Sequence, residues 1–246
     1  MSQRRVALLI VLGVLASSSA LGADRQPRAV IELFTSQGCS SCPAADKLLG
    51  ELAGDSSLVT MSLPIDYWDY LGWKDTLAKP QHSARQHSYA QLRGDRAVYT
   101  PQIVVNGVTH VLGSDKAAIE RAIQQTRSQP DTMALPVTLA LNEDRLVVTL
   151  PAASGAHAAG EIWLCSIAKR VPVVIGRGEN HGRTISYNNV VRRWVKLGDW
   201  TGAAQSRTIS ASEFRSEGAD SVAVFVQTGS SGKPGKMIGA ALAAMR

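Results

Sequence analysis

"IELFTSQGCSSCPAADKLLGEL", Ile31 to Leu52, decides how the first half of this chain reads. It continues an apolar run from Ala29, and Ala29 to Phe34 predicts a buried strand. A polar turn then leads into Cys39 and Cys42, separated by two serines. Pro43 to Leu52 places Leu48, Leu49 and Leu52 at helical spacing, with Gly54 beyond the end, and predicts a helix. A helix that starts here aims unpaired N–H groups and its positive dipole end at the first sulfur. That favours the thiolate, which is the nucleophile, at Cys39. Cys42, one turn on, is placed to resolve a mixed disulfide.

The chain has three cysteines, the third being Cys165. A disulfide across two residues constrains the unfolded chain little, so Cys39 and Cys42 read better as a reactive pair than as a staple. Two other readings stay open: an inert buried pair, and a soft-metal clip. Copper(I) carriers also use strand–CxxC–helix, because soft thiolates suit a soft ion. They resemble MxCxxC, and Gln37 stands here at the methionine position. Zinc needs two further ligands, and there is no second pair. The expectation is no metal and no cofactor. His82 and His87 are five residues apart, about 140° around a helix, and share no face. Cys165 alternates with Trp163 and Ile167, which suggests a buried small apolar residue.

Arg4 and Arg5 precede an apolar run from Val6 to Ala16, and small residues follow. This predicts a signal peptide over residues 1–22, cut after Gly22 or, nearly as well, after Ala20. The run is too short to span a bilayer. The protein is therefore expected in the periplasm or secreted, with no stable membrane anchor after cleavage. Formal net charge is +6 over 246 residues, but the basic residues are scattered. Nucleic acid is not an expected partner.

Beyond Leu52 the first half keeps alternating. Leu58 to Ile65 reads as a strand, Pro80 to Leu92 as a helix, and Tyr99 to Gly107 as a turn into a strand, with which Val108 to Leu112 pairs as a hairpin turning at Asn106-Gly107. Ser114 to Gln125 reads as a helix capped by Ser114. After Ser128 to Met133, a polar stretch with a proline, the period changes to two. Val137, Leu139 and Leu141 share one face, as do Leu146, Val148 and Leu150. "EIWLCSIA", "VPVVIG", "SVAVFVQ" and "MIGAALAAM" add short strands, while "GRGENHGRTISYNNVVRR" reads as a solvated polar loop. The expected fold class is an α/β domain over residues 28–127, followed by an all-β sandwich-like domain over residues 134–246. The second domain is expected to have no chemistry of its own, to dock on the first, and to narrow access to Cys39.

The strand "VIELF", the pair "CSSC" and the later "YTPQIVVNG" together resemble the thioredoxin-like superfamily. "ELFTSQGCSSCPAAD", "DYWDYLGWKD", "RQHSYA", "YTPQIVVNG" and "NVVRRW" together look closer to a family of secreted bacterial thioredoxin-like proteins of unknown function. The resemblance implies a thioredoxin-like α/β fold and a redox site in which a cis Thr100–Pro101 faces Cys39 and Cys42. It implies thiol-disulfide oxidoreductase activity on protein or small-molecule disulfides, and protein thiols or a periplasmic redox partner as partners. Thioredoxin carries a buried acid on the strand before its CxxC, and Glu32 is the candidate here. Trp68, Tyr70, Trp73 and Tyr99 are candidate substrate contacts, since aromatic side chains beside such a site can receive an apolar peptide. Other readings are a binding module that kept the scaffold without turnover, and the soft-metal protein above.

Overall fold

The computed structural model describes residues 26–153 and 159–245; the expected signal peptide, residues 1–22, lies outside them. Strand β1 (Ala29–Thr35) is buried along its whole length because both faces are covered. It runs parallel to β2 (Leu58–Pro64) and antiparallel to β3 (Gln102–Val105), with Phe34 opposite Leu63 and Gln102. Ile31 and Leu33 pack under helices α1 (Cys42–Leu52) and α3 (Lys116–Arg127). Val30 and Phe34 face α2 (Pro80–Arg93) through Tyr89. Two-sided burial explains why the run does not alternate. Asn106 and Gly107, at φ 51° and 69°, turn β3 back into β4 (Thr109–Leu112). The cap of α3 is Asp115, which accepts from Ala118 N at 2.9 Å, one residue later than expected.

The remaining strands are β5 (Thr138–Leu141), β6 (Arg145–Leu150), β7 (Gly160–Val174), β8 (Thr184–Trp200), β9 (Gln205–Ser210), β10 (Ser221–Ser230) and β11 (Lys233–Ala244). A single helical turn, α4 (Ala211–Phe214), follows β9. Eight strands form one mixed sheet in the order β11-β10-β7-β8-β2-β1-β3-β4. The other three form a small sheet, β5-β6-β9. This overturns the expected thioredoxin-like α/β domain followed by a separate all-β sandwich: the fold is mostly β and built on one sheet shared by both halves.

The physical reason lies at the free edge of β2. There β8 pairs in parallel, with Val190 opposite Ser62, and Asn189 Nδ2 donates to Thr60 Oγ1 at 2.7 Å. β7 and β8 are single strands of 15 and 17 residues. From sequence alone β7 reads as two short strands, and the first half of β8 reads as a loop because polar residues fill it. The small sheet does build a sandwich-like layer: Leu146, Val148, Leu150 and Ile209 pack on Ile162, Leu164, Val222 and Val224. On the opposite face Cys165, Ile167 and Phe225 join Phe34, Met61 and Val104 in a common core. The polar stretch after α3 and the residues that lead into β5 are pinned to β11. Lys236 Nζ donates to Pro130 O at 2.6 Å, and Leu135 N to Ile238 O at 2.7 Å.

Candidate functional site

β1 ends at Thr35, and the chain turns immediately into the cysteine pair. Gly38 N donates to Ser36 Oγ at 3.1 Å and Cys39 N to Ser36 O at 3.2 Å, which fixes the turn. Gly38 leaves little room for a side chain, since a Cβ there would lie 3.2 Å from Trp68 Cβ. Cys39 and Cys42 form a disulfide, with Cα atoms 5.4 Å apart, at the start of α1. Cys42 is fully buried, whereas Cys39 retains 5% exposure and is the sulfur at the edge.

Two segments far apart in sequence hold this turn. The first is the aromatic loop. Trp73 Nε1 donates to Gln37 Oε1 at 2.8 Å, and Asp75 Oδ2 accepts from Gln37 N at 2.8 Å. Trp68 Nε1 donates to Thr100 Oγ1 at 2.8 Å, while Tyr70, 75% exposed, stacks on Trp68. The second is the loop between β7 and β8. Asn180 Nδ2 donates to both Gln37 O and Cys39 O at 2.9 Å. Glu179 Oε2 accepts from Ser40 N at 3.1 Å. The loop reverses at Gly178 and Gly182, at φ 78° and 76°. So the second half reaches the cysteine turn through residues whose sequence predicts a solvated loop.

The Thr100–Pro101 bond is cis, as the resemblance implied. The β1–β3 register carries Pro101 opposite Thr35, where the turn begins. A Cβ on Gly113 would lie 3.1 Å from both Ala45 and Pro101, so Pro101 sits across the first turns of α1. Tyr99 stands further back: its hydroxyl is 2.9 Å from His110 Nδ1, and its carbonyl accepts from Gln86 Nε2 at 2.8 Å. Thus Trp68 and Trp73 border the cysteine turn and Pro101 the first turns of α1, while Thr100 and Tyr70 connect to the turn through Trp68.

Glu32 is not among them. It is fully buried on the α2 face of β1, the face opposite α1. Oε1 pairs with Arg85 Nε at 2.6 Å, and Oε2 accepts from Tyr89 OH at 2.7 Å. The acid beside α1 is Asp46, which the sequence reading passed over. It lies four residues after Cys42, hence on the same helix face with Cβ atoms about 5–6 Å apart. It is 1% exposed. Oδ2 accepts from Thr35 Oγ1 at 3.1 Å, and Oδ1 has no partner among the described residues. Burial pushes its pKa up to about 8; the Thr35 bond opposes this and Asp75 adds to it. Burial likewise raises Asp75 to about 6, against three backbone N–H bonds. Tyr187 of β8 lies near both acids, its buried hydroxyl also unpartnered and its pKa raised by burial first. An aspartate on the leucine-lined face of a helix was the sequence signal for Asp46. Glu179 and Asn180 had none, because their contacts cross about 140 residues.

Cys165 is a free, buried thiol in the common core, with its pKa pushed well up by burial. His82 is buried, with Nδ1 2.9 Å from Pro64 O. Among the described residues no cluster of His, Cys, Asp and Glu could hold a metal ion. Among them, too, no helix is long and apolar enough to cross a membrane.

Comparison with known proteins places the chain. It is similar to the crystal structure of protein AGR_C_4864 from Agrobacterium tumefaciens, at 30% identity and a TM-score of 0.79, over 89% of this chain and 95% of that one. HBP35 of Porphyromonas gingivalis shares the fold at 14% identity and a TM-score of 0.55, over 91% of this chain and 76% of that one. No curated protein matches. The family described as "Protein of unknown function (DUF1223)" matches residues 30–227, and the chain belongs to that family.

Proposed function

We propose that this protein is a thiol-disulfide oxidoreductase of the periplasm or the secreted space, acting on protein or small-molecule disulfides. The observation that carries this reading is the closed Cys39–Cys42 pair at the start of α1, one sulfur sealed and the other at the edge. In the reduced protein the Cys39 thiolate attacks a client disulfide. A bond forms between Cys39 Sγ and one client sulfur, and the other client sulfur leaves as thiolate. The Cys42 thiol then loses its proton and attacks Cys39 Sγ. This closes the Cys39–Cys42 disulfide and releases the second client thiolate. Two electrons pass from the protein to the client; the reverse sequence oxidises a client dithiol.

The proton step needs a base close to Cys42 that is neither always charged nor always neutral near physiological pH. Asp46, raised to about 8, meets that need, and we assign the role to it rather than to Glu32, whose oxygens are both taken. Trp68 and the exposed Tyr70 form the client-facing surface. Trp73, bonded to Gln37, positions the turn. The resemblance of the "CSSC" and "YTP" segments to thioredoxin-like redox sites supports the same chemistry.

Insulin reduction with dithiothreitol and reactivation of scrambled ribonuclease test the reading, with Cys39→Ser as control and a mass measurement for bound metal. Turnover lost in the variant supports it. No turnover in either assay, together with copper held by both sulfurs, would replace it with the soft-metal reading.

A further inference from the structure

A second concave site lies on the α2 face of the sheet, and none of its lining residues belongs to the disulfide turn. Its volume is about 700 Å³. That falls within the roughly 300–1,000 Å³ of small-molecule pockets. One wall is α2 and the residue before it, with Lys79, His82 and Arg85. The floor and far wall come from β7 and β8, with Trp163, Arg192 and Trp194.

Its electrostatics point one way. Lys79, Arg85, Arg192 and Arg193 line it, with no aspartate or glutamate. Arg85 is only 8% exposed. Its Nε and Nη2 are held by Glu32, Tyr89 and Gln227, whereas Nη1 has no partner among the described residues. Glu32 offsets one positive charge, that of Arg85. Arg193 is directed away from the cavity, to the carbonyls of Ser212 and Arg215 at α4, where Glu213 is near, so its charge does not count toward the site. Lys79 and Arg192 form no ion pair among the described residues. Two positive charges, Lys79 and Arg192, therefore border the cavity without an ion-pair partner among the described residues, beside the paired Arg85. Cations without countercharge beside one concavity attract an anion to it.

The apolar part is equally specific. Trp163 and Trp194 are half-buried, with ring centroids 5.9 Å apart, and the Arg85 guanidinium lies 4.6 Å from the Trp194 ring centroid. Indole faces beside a fixed guanidinium accept a flat body that carries negative charge at one end.

We infer that this cavity binds a small organic anion, a flat apolar body bearing a carboxylate or a phosphate. The flat body lies against Trp163 and Trp194, and the anionic oxygens meet Arg85 Nη1, Lys79 and Arg192. The inference stands independently of the redox reading.

Calorimetric titration of the purified protein tests it with four probes: 2-naphthoate, 2-naphthyl phosphate, neutral 2-naphthylmethanol and inorganic phosphate. Saturable one-to-one binding is expected for at least one naphthyl anion. Naphthylmethanol and inorganic phosphate should each bind at least tenfold more weakly. The ratio between naphthoate and naphthyl phosphate identifies the anionic group. Lys79 and Arg192 are not in the buried core, so the double variant K79Q/R192Q should fold; it is expected to weaken the naphthyl anion at least tenfold. A second variant, Trp163→Leu, should lower the preference for naphthoate over hexanoate at least fivefold. The inference is overturned if neither naphthyl anion saturates, if naphthylmethanol binds as well as they do, or if the folded double variant binds them unchanged.

Discussion

Replacing Asp46 by Asn should remove most of the protein's loss of stability toward alkali. In the unfolded chain Asp46 gives up its proton near pH 3.8, whereas in the folded protein burial holds the proton until about 8. Between those values unfolding releases a proton, so stability falls as pH rises across the window and is unaffected by this group below and above it. At about 1.4 kcal/mol per pH unit the whole window amounts to on the order of 5 kcal/mol, a large part of a domain's total stability. Asparagine keeps the size and the acceptor for Thr35 Oγ1 but cannot ionise. D46N should therefore match the parent near pH 4 and exceed it by several kcal/mol near pH 8.5. Asp75, raised to about 6, titrates in both proteins and largely cancels in the difference. Urea unfolding of the disulfide-intact proteins from pH 4 to 9 measures this. Parallel curves across that range, or a parent that gains on D46N as pH rises, would refute the buried, proton-holding Asp46.

Three further outcomes are expected. Glu179→Gln removes a carboxylate from the amide of Ser40, so alkylation of reduced Cys39 by iodoacetamide near pH 7 should accelerate about three- to tenfold. An unchanged rate would mean that this carboxylate has no hold on the thiolate. Glu32→Gln leaves Arg85 buried without its counter-charge and should cost about 3–5 kcal/mol in urea unfolding, with Cys39 alkylation altered less than twofold. A large loss of thiol reactivity in folded E32Q would return Glu32 to the chemistry. Trp68→Phe loses the bond to Thr100 Oγ1; it should slow insulin reduction severalfold while leaving reduction of a small aromatic disulfide nearly unchanged.

The cysteine turn was legible because its determinants are local. A two-sided buried strand, two cysteines, a proline and a leucine stripe lie within 22 residues, and β1, α1 and the disulfide follow from them. The Asn106-Gly107 turn was legible for the same reason, through the φ values those residues accept. The shared sheet was not. Nothing in Leu58 to Pro64 announces which strand covers its second edge, and Val190 does so from 128 positions away. Polar residues such as Asn188, Asn189 and Arg192 hid β8, because Asn189 is spent bonding Thr60 rather than facing water. Glu32 was misleading from sequence alone. An acid on a buried strand beside a CxxC has two possible destinations, and Arg85, 53 residues on, decides which one it takes. Asp46 was visible in principle, as the acid on the apolar face of α1, but it acquires meaning only with Thr35 and Asp75 around it.

The central claim is that Cys39 attacks and Cys42 resolves. The most direct measurement is trapping of a mixed disulfide by reaction of the reduced variants with 5,5′-dithiobis(2-nitrobenzoate), which releases one thionitrobenzoate per adduct, or with a disulfide-bonded client protein, comparing Cys42→Ser with Cys39→Ser. The account predicts a stable adduct on Cys39 in Cys42→Ser, none on the buried Cys42 in Cys39→Ser, and no labelling of Cys165 while the protein stays folded. Equal trapping by the two variants, or an adduct that forms only on Cys42, would contradict it.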